Sequence, residues 1–303
     1  AIVPVEDTNL STFNAHAQLT SSVQVAQPAP SGAYIRWPGH DLRAGQTVLR
    51  AGRKLHPQDI GLLAMLGIVE VPVYRVPRVA LLSTGDELIP PTQPLVPGKI
   101  HESNSYSLGS LIQSSGAKLL PLGTAPDNFE RIQEKLDRAV ELGADLIISS
   151  AGVSVGSYDY VRDVIQTGGS LEFWRVNMRP GKPVAFGDYH GIPVFGLPGN
   201  PVSSFIGFMV FAQPAIEKLS GLTEFLPPRS PAILTEEVAS DGRESYLRAV
   251  VEPADGRPYV RLTGHQGSGN LFSLVQANAL LIVPSGVKSL PAGSEVEIWY
   301  IKV

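Results

Sequence analysis

The chain has 303 residues, 43% hydrophobic and 17% charged, which supplies apolar material for real cores and excludes a disordered polyelectrolyte. A net charge of -4 with no dense Lys/Arg run argues against a duplex nucleic-acid binder, and no apolar run approaches the roughly 18 residues of a membrane span. The absence of cysteine excludes disulfides, thiolate zinc sites, iron–sulfur clusters and cysteine nucleophiles, and the length suggests about two domains with room for small accessory ones.

Residues 1–76 read as a β-rich domain. Short apolar runs (Val23–Ala26, Tyr34–Trp37, Thr47–Leu49, Val69–Tyr74) alternate with Gly and Pro. One helix is predicted from Pro57 to Leu66, with Pro at its start and Gly67 at its end. The first residue is not Met and the chain opens on a strand-like run, Ile2-Val3-Pro4-Val5, so sequence upstream of Ala1 is expected.

Residues 77–224 alternate strands and helices. Val79–Leu82, Lys118–Leu122 and Leu146–Ile148 read as strands, and Asn104–Ser115 and Tyr158–Gln166 as helices. Asp127–Leu142 is the clearest helix: Asp127 with Glu130 suggests a capping box, Ile132, Leu136 and Val140 form an apolar stripe, and Glu134 can pair with Arg138. Further strands near Leu171–Val176, Pro183–Phe186 and Pro193–Phe195 precede a long apolar helix from about Val202 to Leu219. This pattern predicts an α/β domain with a mainly parallel sheet, whose ligands sit at the carboxyl ends of the strands. Residues 225–303 return to β, after a linker at Pro227-Pro228, with strands at Ala232–Leu234, Tyr246–Glu252, Tyr259–Leu262, Ala279–Val283 and Glu295–Lys302 and a hairpin turn at Asp255-Gly256.

Five segments carry the chemistry. Ser83-Thr84-Gly85-Asp86-Glu87-Leu88 follows a strand, and its adjacent carboxylates suit Mg2+ or are a plain polar loop. In Ser149–Tyr160 small residues, among them Gly152, Ser154 and Gly156, let backbone N–H groups close on a phosphate at a helix start. Asp159 there can reach a metal or a hydroxyl, or it is simply dipole-stabilised. Arg175, Asn177 and Arg179 would share one face of a strand, with Lys182 beyond, as an anion site or a solvated edge. Leu197-Pro198-Gly199-Asn200-Pro201 places a cap and free N–H groups at a strand end. Gly264–Asn270 is a substrate or subunit contact, or a long turn. The six histidines show no zinc spacing, and no G-x-S-x-G elbow is present.

Gly39-His40-Asp41 through Gly52, Ile60–Ala64, Pro77-Arg78-Val79 and then STGDEL, GVSVGSYDY, RPGKP, GLPGNP and GHQGSG occur in this order over essentially the whole chain. Together they closely resemble the molybdopterin molybdenumtransferases (MoeA-type proteins and the gephyrin E domain). The resemblance implies an α/β molybdopterin-binding domain, similar to the molybdopterin adenylyltransferases, between an N-terminal β domain and a C-terminal β barrel. It implies a cytoplasmic, homodimeric transferase that takes adenylylated molybdopterin and molybdate, needs Mg2+, inserts molybdenum and releases AMP. A molybdopterin adenylyltransferase and molybdoenzymes are its implied protein partners, with no nucleic acid and no membrane. Carried over by motif, Glu87, Asp127, Asp159, Arg175 and Arg179 are catalytic, with Glu87 and Asp159 on the metal. Ser83, Thr84, Gly85, Gly152, Ser154, Gly156, Lys182, Pro198, Gly199, Asn200, Arg248 and Ser268 hold the pterin nucleotide. The chain departs from the family at Ala151 (usually Gly), Ser157 (usually acidic), and Arg175 and Arg179 (usually Lys). The family's Asp-bearing loop and dimer-forming arm are expected upstream of Ala1. A molybdopterin adenylyltransferase, or a non-catalytic scaffold of the gephyrin E type, are the alternatives.

Overall fold

The computed structural model describes residues 1–10, 22–152, 160–224 and 228–301. It divides into two compact units, Ala1–Ala51 and Gly52–Val303. In the first, the described residues hold one 3-10 turn, Val5–Asp7, and one isolated bridge between Thr8 and Val25. The strands expected at Val23–Ala26, Tyr34–Trp37 and Thr47–Leu49 form no ladder. Gly32, Gly39 and Gly45 take positive φ, and so does Tyr34 at 53°, so the chain turns before these runs can extend.

The second unit begins with α1 (Pro57–Met65), where Asp59 reaches back to the His56 N–H at 2.9 Å. The run Val69–Tyr74 joins no sheet, and Val69 is 93% exposed. There follow β1 (Arg78–Thr84), β2 (Leu88–Ile89), β3 (Ile100–His101), α2 (Asn104–Ser114), β4 (Lys118–Ala125), α3 (Phe129–Glu141), β5 (Leu146–Ser150), α4 (Tyr160–Gly168), β6 (Gly169–Phe173), β7 (Met178–Arg179), β8 (Ala185–Tyr189) and β9 (Ile192–Leu197). One sheet has the order β4-β1-β5-β9-β8-β6; its first four strands are parallel, and β8 runs against both neighbours. The unbroken apolar runs are explained by burial on both faces. Ala80, Leu82 and Ile147 meet Ile132 and Leu136 of α3 and Val161 of α4, while Val79, Leu81 and Ile148 meet Leu108 and Ile112 of α2.

Two local expectations are corrected at α3. Asn128, not Asp127, caps it, accepting the Arg131 N–H at 3.0 Å, and Arg138 pairs with Glu141 rather than Glu134. The long helix comprises α5 (Pro201–Gly207), a π turn (Phe208–Ala212) and α6 (Gln213–Leu219). Pro214 lacks an N–H and its ring crowds the carbonyl four residues back, inside that π turn, which gives the wider turn its cause.

The C-terminal region contains β10 (Ser230–Leu234), β11 (Val238–Ala239), β12 (Glu244–Ala254), β13 (Arg257–Leu262), α7 (Phe272–Gln276), β14 (Ala279–Val283), β15 (Ser289–Leu290) and β16 (Glu295–Tyr300). The order β13-β10-β16-β14-β12 closes through the β12–β13 pairing into a five-stranded barrel. Asp255 and Gly256 both take positive φ, as the hairpin requires. Leu247, Ala249 and Val251 fill the barrel, whereas Tyr246, on the other face of β12, packs with Val202, Ile206 and Met209 of the long helix. β7 pairs in parallel with Glu244 and Ser245, a stretch of β12 that β13 does not reach.

Candidate functional site

Parallel pairing brings the carboxyl ends of β4, β1, β5 and β9 to one edge of the sheet, where ligands of such sheets bind. The loops leaving that edge are tied together. The Ala151 N–H donates to Leu197 O at 2.9 Å, and the Asn104 side-chain amide donates to Ser150 Oγ and Gly199 O, both at 2.7 Å. Gly152 has φ 75°, and a Cβ there would lie 2.3 Å from Val161 Cγ2 and 3.2 Å from Thr84 Oγ1, so only glycine lets the loop lie this close. A Cβ on Gly85 would lie 2.8 Å from a carboxylate oxygen of Glu87, which folds back over it.

Beneath the loops is a buried polar layer. Ser83, Thr84, Glu102, Asn104, Ser149 and Ser150 are all buried. Glu102 accepts from Ser83 Oγ at 3.1 Å, from the Ser105 N–H at 2.7 Å and from Ser105 Oγ. Thr84 Oγ1 and Asn104 Oδ1 are buried without a partner. Buried polar atoms left unpaired are costly and rare, and here they collect at the ligand edge. Sequence reading missed Glu102 and Asn104; the only available signal was a polar triplet, Glu-Ser-Asn, at a helix start beside a ligand loop.

Three carboxylates gather at the β1–β4 end. The Asp127 N–H donates to Asp86 Oδ1 at 3.1 Å. Desolvation raises the Asp127 carboxyl above the ordinary carboxylate range, and the charges of Asp86 and Glu87 raise it further. Among the described residues no group of three or more His, Cys, Asp or Glu has the geometry to hold a metal by itself. Asp159, Ser154, Gly156 and Ser157 lie outside the described residues.

The cations are arranged differently from the expectation. Arg175, Asn177 and Arg179 do not share a strand face: β6 ends at Phe173, residues 174–177 run free of any ladder, and Arg179 belongs to β7, recruited by the barrel. The guanidinium of Arg175 lies 4.3 Å from the ring centre of Trp174, and that of Arg162 lies 4.8 Å from it. Arg179 stands 4.0 Å from Asp241, itself paired with Arg243. The side chain of Lys182 is exposed.

Arg248 is completely buried, on the face of β12 that meets the long helix. Its Nε donates to Ser273 Oγ and its Nη2 to Gly267 O, each at 3.0 Å, while Nη1 has no partner. Burial, with the charge of Arg179 nearby, pushes its pKa down to about 10. The loop carrying Gly267 is fixed to the sheet edge, since Ser268 O accepts the Val202 N–H at 3.0 Å, two residues past Asn200. Pro198, Gly199 and Asn200 occupy the β9–α5 turn; Pro201 takes the first helical position, and Asn200 caps through position alone, with no side-chain bond. A surface groove of about 630 Å³ lies against α3, lined by Glu134, Asp137 and Arg138 among others, and contains none of these site residues.

The described site is thus a parallel-sheet edge with carboxylates at one end, glycine turns in the middle and a buried guanidinium where the barrel docks, the arrangement of an α/β ligand-binding protein. A model described as a probable molybdopterin binding domain matches residues 80–218, and models of the MoeA N-terminal region (domain I and II) and C-terminal region (domain IV) match residues 1–67 and 231–301. The chain is 39% identical to molybdopterin molybdenumtransferase 2 of Mycobacterium tuberculosis (strain ATCC 25618 / H37Rv), over 99% of this chain and 73% of that one. It is 38% identical to the molybdopterin molybdenumtransferase of Nostoc sp., over 91% of this chain and 64% of that one. A crystal structure of the moeA protein from Pyrococcus horikosii superposes with a TM-score of 0.80 at 29% identity, covering 100% of this chain and 72% of that one. The chain belongs to the molybdopterin molybdenumtransferase family.

Proposed function

We propose that this chain, a transferase of molybdenum cofactor biosynthesis, inserts molybdenum into adenylylated molybdopterin and releases AMP. The observation that carries the reading is Arg248. A guanidinium with one nitrogen unpaired, no carboxylate bonded to it among the described residues and a second cation, Arg179, nearby is stabilised only when an anion arrives. Molybdate or a phosphate of the pterin nucleotide is such an anion. Ser268 fixes the neighbouring loop, and the reading assigns the pyrophosphate to the glycine turns at Gly85, Gly152 and Gly199, where the absence of a Cβ leaves the backbone open to close approach. Because Arg248 belongs to the barrel, the site needs more than the α/β domain, which favours this reading over an adenylyltransferase.

Mg2+ typically takes one or two carboxylates together with substrate phosphate oxygens. The reading assigns it to Glu87 and Asp159; the crowding that raises Asp127 supports a site where added positive charge is favourable. When bound, Mg2+ neutralises phosphoanhydride oxygens as AMP departs. Asp127 and Glu87 orient the ligand at that end, and Arg175 and Arg179 draw the oxyanion toward the other.

A homodimer is part of the proposal. Ile60, Met65, Val69, Val73, Tyr74 and Val76 are all exposed within one short stretch, an apolar surface that a second copy would cover. Among the described residues no helix is long and apolar enough to cross a membrane. The reading puts the reaction in the cytoplasm, between a molybdopterin adenylyltransferase that supplies the substrate and molybdoenzymes that receive the product. Purified protein given adenylylated molybdopterin, molybdate and Mg2+ should release AMP and yield a product that activates an apo-molybdoenzyme. Failure of both would remove the reading.

A further inference from the structure

The ladder between β12 and β13 ends at the pair Ala249 and Leu262, just short of Arg248. Beyond it the Thr263 N–H still donates to Arg248 O at 3.0 Å, and the chain then turns at Gly264, whose φ is 89°. Gln266 continues the pairing with its side chain. Its Oε1 accepts the Arg248 N–H at 2.9 Å, and its Nε2 donates to Arg248 O at 3.0 Å and to Gly264 O at 3.2 Å. An amide side chain thus stands in for a strand, and the backbone is released to reach the arginine side chain. Gly267 comes next, and its carbonyl accepts Nη2 at 3.0 Å. Nε goes to Ser273 Oγ, which donates in turn to Asn270 O at 2.6 Å, so one loop and the helix it enters hold two of the three guanidinium nitrogens. The guanidinium is rigid and planar, so fixing Nε and Nη2 also fixes where the N–H groups of Nη1 point. Nη1 is the nitrogen left without a partner among the described residues. A donor held in place before its ligand arrives loses little freedom on binding. The same strand offers a control: Asn278 makes the same two-way bond to Val251, accepting its N–H at 2.7 Å and donating to its carbonyl at 2.9 Å, where no guanidinium is attached.

We infer that Gln266 is a positioning residue, which pairs with both backbone groups of Arg248, seats the Gly267 carbonyl against Nη2 and so presents Nη1 to the anion. This rests on the reading of Arg248 above. Gln266→Met keeps the side chain's length and removes its bonds to Arg248, and Asn278→Leu does the same at Val251. Both should lower the melting temperature by similar amounts. In calorimetric titrations of the full chain with inorganic pyrophosphate and with molybdate, Gln266→Met should bind about tenfold more weakly than wild type, and Asn278→Leu within about twofold of it. If the methionine variant fails to fold, Gln266→Glu takes its place; it keeps the acceptor for the Arg248 N–H, loses the donor to Arg248 O and adds a competing negative charge, and should also bind about tenfold more weakly. Wild-type affinity in the Gln266 variant that folds, or equal weakening in Asn278→Leu, overturns the inference and leaves the reading of Arg248 standing. Wild-type protein that binds neither anion removes that reading, and the inference with it.

Discussion

Replacing Arg248 with Met should stabilise the ligand-free protein and abolish its response to anions. The side chain is wholly buried, and that burial pushes its pKa down to about 10. That displacement corresponds to about 3 kcal/mol by which the fold disfavours the charged form. The sign follows from the direction: a cation whose folded pKa lies below its unfolded value costs stability at every pH below about 10, and the cost is relieved only as pH climbs from there toward the ordinary arginine range. Methionine keeps the apolar stem but removes the bonds to Ser273 Oγ and Gly267 O, which retain Asn270 as a partner, at a loss of about 1 kcal/mol each. The net expectation is a gain of about 1 kcal/mol at pH 7, a rise of about 2 °C in melting temperature for a domain of this size. The assay is thermal melting of wild type and variant with and without millimolar pyrophosphate and molybdate. Wild type should shift upward with the anion, and Arg248→Met should start higher and stay fixed. A variant that melts several degrees below wild type, or that still responds to both anions, would refute the argument that this guanidinium waits for an anionic partner.

The remaining expectations concern the loops. Asp127→Asn should melt higher than wild type at pH 7, because a carboxyl with a raised folded pKa loses stability as pH rises through that value; the two should converge toward pH 3.8, and Mg2+ should narrow the gap at pH 7, all readable by calorimetry. Ala151 sits at φ 76°, where a Cβ costs roughly 1–2 kcal/mol; after the entropy lost to glycine, Ala151→Gly should gain about 0.5 kcal/mol in urea titration, and a loss would place the strain elsewhere. Asn104→Ala removes two buried bonds and should cost about 2 kcal/mol while raising KM more than it lowers kcat; a pure stability loss with unchanged KM would make the residue structural only.

The α/β domain was legible because its signals are local. Val79–Leu82 and Leu146–Ile148 are unbroken apolar runs, and the Ile132–Leu136 stripe recurs at helical spacing with Gly143 as the stop. Within residues 1–76 the helix at Pro57 was legible, but Val23–Ala26, Tyr34–Trp37, Thr47–Leu49 and Val69–Tyr74 form no ladder, because alternating apolar runs and Gly or Pro suggest strands while pairing depends on partners that short runs do not identify. The Arg175–Arg179 stretch failed for a related reason: period-two reasoning assumes one strand, and β7 is drawn away by Glu244 and Ser245, far along the chain. Arg248 did carry a local trace, a lone arginine in the apolar run Tyr246–Val251, but its buried partners, Gly267 and Ser273, lie 19 and 25 residues further along the chain. Asn104 acts through Ser150 and Gly199 and Glu102 reaches back to Ser83, and no short window contains both ends of those bonds.

The pairing of β7 with β12 also bears on how the molecule can be cut. A dipeptide from the α/β segment, Met178-Arg179, completes the barrel's margin, and its Met178 packs with Tyr246, Leu280 and Trp299. Excision of the barrel would therefore leave Arg179 without a scaffold and bare an oily scar along the long helix. The two parts are better regarded as one indivisible folding body than as interchangeable modules, and truncated versions of either would be poor surrogates for the whole.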